Sequence, residues 1–279
     1  MGRLATRRVD PMRWSALLLA GGLAACGVRR DTSPGAATRQ TESGEASYLA
    51  PPRATAVRVG ADGGLTIFGT APLRSTVQIV SPEGEQARAG VDARGGWSVH
   101  LSASPQPRLY AVSAMLEGRT VHADGALITA PGAAAPAVTV RAGYAASPLS
   151  LDQSTRIASV DYDPSGFIAV AGAAPAHTQL TLVVDGAPAA VGQADQAGRY
   201  ALLAADRRLA MGPHQLQVRA QGAASERQVT LEPPVALAAP YQSWPGPDGW
   251  RVEWGLNGGG VQTTLILDRQ AALRRVGSG

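Results

Sequence analysis

Side chains able to do chemistry are few in this chain, and their spacing excludes more than it supports. One thiol, Cys26, stands beside four histidines, His100, His122, His177 and His214, of which the nearest two are 22 residues apart. A structural zinc site draws on close-set Cys and His pairs, so these positions predict no metal centre and no cofactor. Asp161-Tyr-Asp163-Pro-Ser-Gly166 sets carboxylates at alternate positions as calcium loops do, yet lacks the further carboxylates such a loop needs. It reads as a turn ahead of a strand at Phe167. No Gly-x-Ser-x-Gly elbow occurs. Gly258-Gly-Gly260 lacks the lysine and helix start of a phosphate cradle. With nothing suited to acid–base or nucleophilic work, the expectation is a protein that is not an enzyme.

Cys26 has the most specific surroundings. Arg3, Arg7, Arg8 and Arg13 make a positive leader, and the run from Trp14 to Gly22 is mostly apolar. That run matches the length of a secretory core and falls short of the roughly 20 residues that cross a bilayer. Small residues Ala24 and Ala25 precede the thiol, as cleavage requires. Asp10 is unusual in such a leader and leaves Met12 as an alternative start. Leu23-Ala24-Ala25-Cys26 resembles the lipobox of bacterial lipoproteins. The resemblance implies a signal peptide over 1–25, cleavage before Cys26, and acyl chains such as palmitate on that residue, which hold the protein to a membrane. Gly27 follows where many inner-membrane lipoproteins of Gram-negative bacteria carry aspartate, so the implied address is the outer membrane of the cell envelope, with the choice between the periplasm and the cell surface left open.

The other concentrated chemistry is aromatic. Trp244, Trp250 and Trp254 fall within eleven residues, three of the chain's five tryptophans. Trp250, Val252 and Trp254 share one strand face, with Arg251 and Glu253 on the other. Leu256-Asn-Gly-Gly-Gly260 makes a turn, and Val261–Leu267 runs back. Exposed, these indoles could stack on sugar rings or anchor a partner; packed, the hairpin over 249–268 folds onto the sandwich that precedes it or onto an edge strand. The packed form is the expectation.

The elements that position these residues come from an internal repeat at an offset of 103. Gly69-Thr-Ala-Pro72 matches Gly172-Ala-Ala-Pro175, and the register holds without a gap to Trp97 and Tyr200. Leu65/Ile67, Val77/Ile79 and Trp97/Val99/Leu101 alternate with polar or small residues, the period of strands with one buried face. Pro82-Glu-Gly84 and Asp185-Gly186 read as hairpin turns. Asp92-Ala-Arg-Gly95 and Asp195-Gln-Ala-Gly198 are polar turns before the aromatic strands. Helical spacing is absent beyond the leader, so the chain reads as all-β.

This pattern is similar to bacterial Ig-like domains, with Pro82-Glu-Gly84 and Tyr200 as departures. It implies two tandem Ig-like β-sandwiches, at 56–130 and 156–232. A disordered tether is expected over 26–55, a linker over 131–155, and a Trp-rich hairpin and tail over 233–279.

The leader carries four arginines and Asp10, so the formal +4 of the chain falls to +1 without it. Every base is arginine and no electropositive stripe forms, which argues against nucleic acid. If Cys26 is acylated, no thiol remains for a disulfide, and the domains stand on packing alone. The function expected is that of a non-enzymatic envelope lipoprotein, a spacer and interaction scaffold for another envelope component. The alternative is a lipoprotein that binds peptidoglycan or surface polysaccharide through Trp244, Trp250 and Trp254.

Overall fold

The computed structural model describes residues 48–133, 135–150 and 154–268. The expected signal peptide, Cys26 and most of the expected tether lie outside them. The described residues form strands and turns without a helix.

The first sandwich comprises β1 (Arg53–Val59), β2 (Leu65–Thr70), β3 (Thr76–Val80), β4 (Gln86–Gly90), β5 (Gly96–Leu101), β6 (Arg108–Leu116) and β7 (Arg119–Thr129), with β8 (Ala137–Val140) and β9 (Ser147–Pro148) added. The second repeats the plan with β10 (Arg156–Tyr162), β11 (Ile168–Ala173), β12 (Gln179–Val184), β13 (Ala187–Gln193), β14 (Arg199–Leu203), β15 (Gly212–Ala220) and β16 (Ala223–Leu231). The chain closes with β17 (Tyr241–Gly246), β18 (Gly249–Gly255) and β19 (Val261–Leu267). A β1-β2-β5 sheet faces β4-β3-β6-β7-β8-β9, and β14-β11-β10-β19-β18-β17 faces β13-β12-β15-β16. The fold is therefore all-β, two Ig-like sandwiches in tandem.

Alternation places the cores. Ile67, Val77, Ile79, Trp97, Val99 and Leu101 fill the first, and Val170, Leu180, Leu182, Tyr200 and Leu202 the second. The repeat runs further upstream than its motifs. Both β1 and β10 shift register at the same place, between Ala54 and Ala56 and between Ile157 and Ser159. Arg74 and His177 are left-handed at φ 63° and 61°, again 103 positions apart. Asp92 Oδ1 accepts the amides of Arg94 and Gly96, each at 2.8 Å; Asp195 Oδ1 accepts those of Ala197 and Arg199 at 2.9 and 2.8 Å. Each turn is thus held by one carboxylate that satisfies two otherwise unpaired N–H groups.

The two copies differ in what is added to them. The stretch expected as a linker, 131–155, instead carries β8, paired along β7, and β9, paired to β8. Proline, glycine and alanine around it hide a four-residue strand, Ala137-Val-Thr-Val140. The second copy gains its extra strands on its other sheet, beside β10. There β19 pairs antiparallel with β10, matching Ser159 to Ile266 and Tyr162 to Thr263.

Candidate functional site

The three tryptophans do not form one platform. In the β17–β18–β19 meander Trp244 stands opposite Arg251, and Trp254 opposite Gln262. Directly paired residues share a face, so Trp244 and Arg251 lie on one side of the sheet and Trp250, Val252 and Trp254 on the other.

The Trp250 face joins the sandwiches. Val252, Trp254 and Ile266 form one buried cluster with Ile128, Val138 and Val140 of the first sandwich. Trp254 is 7% exposed, and its indole N–H donates to Thr264 Oγ1 at 3.1 Å. Trp250 is half-buried and donates its N–H to the Pro131 carbonyl at 2.9 Å. Tyr241 donates its hydroxyl to the Pro107 carbonyl at 3.3 Å. The hairpin was expected on the second sandwich or an edge strand. It does extend that sandwich's sheet through β10, and its indole face is covered by the first.

A polar lock sits in the same interface. Asp161 is fully buried; its Oδ2 accepts the Ala146 amide at 2.6 Å, and its Oδ1 accepts the Thr264 hydroxyl at 2.6 Å. Gln262 reaches further, with its Oε1 accepting the Gly143 amide at 3.0 Å and its Nε2 donating to the Tyr144 carbonyl at 3.1 Å. Side chains of the second unit thereby satisfy the backbone of the loop between β8 and β9. Loss of water around Asp161 pushes its carboxyl up to about 6, against the opposing pull of the Ala146, Thr264 and Gln262 donors. The calcium-like spacing is not one site: Asp163 turns away and caps its own loop, accepting the Ser165 amide and hydroxyl at 2.8 and 2.6 Å.

The lock carries no motif. One signal was legible: Val261-Gln-Thr-Thr-Leu-Ile-Leu267 keeps neither face wholly polar, the mark of a strand covered on both sides. Nothing local says that Gln262 and Thr264 would meet Asp161.

Trp244 is half-buried. The Arg251 guanidinium lies 5.4 Å from its ring centroid and also pairs with Glu232 and the fully buried Glu253. Trp244, Trp250 and Arg251 border a groove of about 400 Å³ with Pro245 and Pro247. A sugar-stacking surface is left with Trp244, and that ring is already shared with a guanidinium.

No family model matches the chain, and no curated protein matches it. Among solved structures it is similar to the BSP domain of a biofilm associated protein, at 17% identity over 68% of this chain and 30% of that one, with a TM-score of 0.23. It is also similar to a 1.5-MDa bacterial ice-binding adhesin, at 13% identity over 78% of this chain and 63% of that one, with a TM-score of 0.22. A third is the central fibronectin-III array of RIM-binding protein, at 14% identity over 74% of this chain and 71% of that one, with a TM-score of 0.25. The chain spans under a third of the first of these and less than two thirds of the second.

Proposed function

We propose that this protein is a non-enzymatic lipoprotein of the bacterial cell envelope, anchored through acylated Cys26 at the outer membrane. Its paired sandwiches hold another envelope component at a set distance from that membrane. The observation that carries the reading is the joint. Two separately cored sandwiches are locked by an apolar seam, the Trp250–Pro131 bond and the Asp161–Gln262 lock. A domain pair that swung freely would not need buried polar groups satisfied across its interface. A spacer does need fixed geometry.

Two measurements test this. Radiolabelled palmitate should enter the wild-type chain and not Cys26→Ala, with the wild type sedimenting with outer membranes. Label that survives the substitution, or wild-type protein found solely in the inner membrane, overturns the anchoring. Small-angle scattering of Cys26→Ala should fit one rigid two-sandwich body; a broad distribution of interdomain distances overturns the spacer. Retention on a peptidoglycan or polysaccharide array that is lost in Trp244→Ala would move the function to glycan binding.

A further inference from the structure

Both sandwiches close one end with a cation set against a carboxylate, and the two cations differ in kind. Val80 on β3 pairs with Ala111 on β6, and its repeat counterpart Val183 on β12 pairs with Gln217 on β15. Three residues back along β6 and β15 stand Arg108 and His214, in matching places. Arg108 pairs with Glu85 of the β3–β4 turn, and its Nε donates to Ser104 Oγ at 3.2 Å in the loop before β6. His214 pairs with Asp185 of the β12–β13 turn and reaches Ala210 in the loop before β15. Each cation thus ties a hairpin turn to the loop that precedes its own strand. A guanidinium keeps its charge at any pH a protein meets, whereas an imidazole changes charge between about pH 5 and 8.

The His214 ring has acceptors on both sides. Its Nδ1 lies 2.8 Å from Asp185 Oδ2 and its Nε2 lies 2.8 Å from the Ala210 carbonyl oxygen. Burial raises the Asp185 carboxyl, but the Gln215 amide, His214 and Arg207 outweigh that and hold it below its ordinary value. It is therefore a carboxylate throughout the imidazole range. Neither partner can donate, so both contacts are hydrogen bonds only when both ring nitrogens carry protons. The side chain is 13% exposed, which leaves water little room to replace a lost partner. Arg207 joins the cluster from the loop, with Nη1 donating to the Val184 carbonyl at 3.0 Å and Nη2 3.8 Å from Asp185 Oδ2. Asp206 and Arg208 flank it, and β16 sets the uncharged Gln228, Val229 and Thr230 opposite Gln215, His214 and Pro213.

We propose that this end of the second sandwich is a proton-operated catch: His214 with both ring protons clamps the 204–211 loop to the Asp185 turn, and loss of one proton to water releases the loop. A neutral ring has one N–H, and its bare nitrogen would face an acceptor at 2.8 Å, lone pair against lone pair. The carboxylate is the stronger acceptor, so Nδ1 keeps its proton and the Ala210 bond breaks. The clamp is present at the acid end of the range and is lost as pH rises. The first sandwich, with Arg108 in that place, stays shut at both ends of it.

Amide hydrogen exchange of the intact Cys26→Ala chain, corrected for the intrinsic effect of pH, reads the loop. The Arg207 and Leu209 amides donate to the Ala204 and Gly166 carbonyls. Their protection should fall about fivefold, the worth of one hydrogen bond, between about pH 5 and 8. The Ser102 amide, which donates to Glu85 Oε1, should keep its protection. His214→Gln has no titrating ring and should show the lower protection at both pH values. Asp161 titrates in the same range but is present in both proteins, so a fall shared with His214→Gln belongs to Asp161 and overturns the catch. Nitrogen-15 shifts of the ring need no variant. Two protonated nitrogens are expected at the acid end of the range, and Nδ1 alone protonated at the other. A ring with one proton at the acid end, a ring that keeps both throughout, or wild-type protection that does not change with pH also overturns it.

Discussion

Gly69 faces Trp97 across β2 and β5, and the indole lies directly over the glycine. A Cβ on Gly69 would stand 2.2 Å from Trp97 Cζ2 and 2.1 Å from the carbonyl oxygen of Arg53 in the β1 bulge. The second copy repeats the relationship. Gly172 faces Tyr200, and its Cβ would stand 2.7 Å from the Tyr200 hydroxyl oxygen and 1.9 Å from the Arg156 carbonyl oxygen. That hydroxyl donates to the same carbonyl at 2.8 Å. The glycine of each Gly-x-Ala-Pro motif is therefore a seat for the aromatic ring 28 positions on.

Gly69→Ala and Gly172→Ala should each destabilise their sandwich by about 1–3 kcal/mol or more, because backbone as well as ring must move to admit the methyl group. Urea denaturation midpoints measure the loss. A neutral result at either site would mean that the ring has room to tilt away.

Trp97→Ala removes the other half of the pair. Trp97 is 5% exposed, and emptying a large aromatic site costs roughly 3–5 kcal/mol. Against about 5–15 kcal/mol for a whole domain, the first sandwich should unfold at a distinctly lower temperature in calorimetry. An unshifted transition contradicts this placement of the ring.

Deleting residues 240–279 strips β19 from β10 and the seam from the first sandwich. Burial of Val252, Trp254 and Ile266 is worth about 1.5–3 kcal/mol apiece, so the second sandwich should melt earlier and the pair should lose its fixed geometry in scattering. In the intact protein, acrylamide should leave Trp97 and Trp254 emission protected and quench Trp244 first. Single-tryptophan variants separate these contributions.

Asp161 supplies a pH signature. Burial holds its carboxyl at about 6, above the ordinary 3.8, so folding takes up a proton between those two values. The contribution is therefore greatest below about pH 4 and is lost as pH rises through about 6. The wild-type melting temperature, minus that of Asp161→Asn, should fall as the buffer goes from about pH 4.5 to 7.5. Asp92, Asp195 and Glu85, whose carboxyls are held below their ordinary values, are common to both proteins and cancel in the difference. A difference that does not change with pH would mean that water reaches the Asp161 carboxylate.

Local pattern was enough for the sandwiches and not for the joint. Alternation at Val77, Ile79, Trp97 and Val99 reports which face of a strand is buried, because side chains point to opposite faces in turn. A motif repeated at a constant offset then implies that the same sheet pair is built twice. The carboxylate turns at Asp92 and Asp195 are legible for the same reason, since their partners lie within four residues. The second face of a strand is another matter. Whether Trp250 and Trp254 meet water, sugar or protein depends on what arrives over them. Here that is Pro131, Ile128, Val138 and Val140, more than a hundred residues away. The alanine- and proline-rich stretch before β10 resembled a linker because β8 is only four residues long and gains stability from β7 alongside it. Asp161 looked like part of a turn because its neighbour Asp163 is one, and its own partners, Ala146 and Thr264, stand 15 and 103 positions away. The sequence by itself determined two all-β repeats, their core faces and their turns, since those follow from the two-residue period of a strand and from contacts within one hairpin. Only the tertiary structure decided that β19 closes β10 and that the C-terminal tryptophans splint the sandwiches, because edge pairing and interdomain burial compare surfaces distant along the chain, and local sequence carries no record of that comparison.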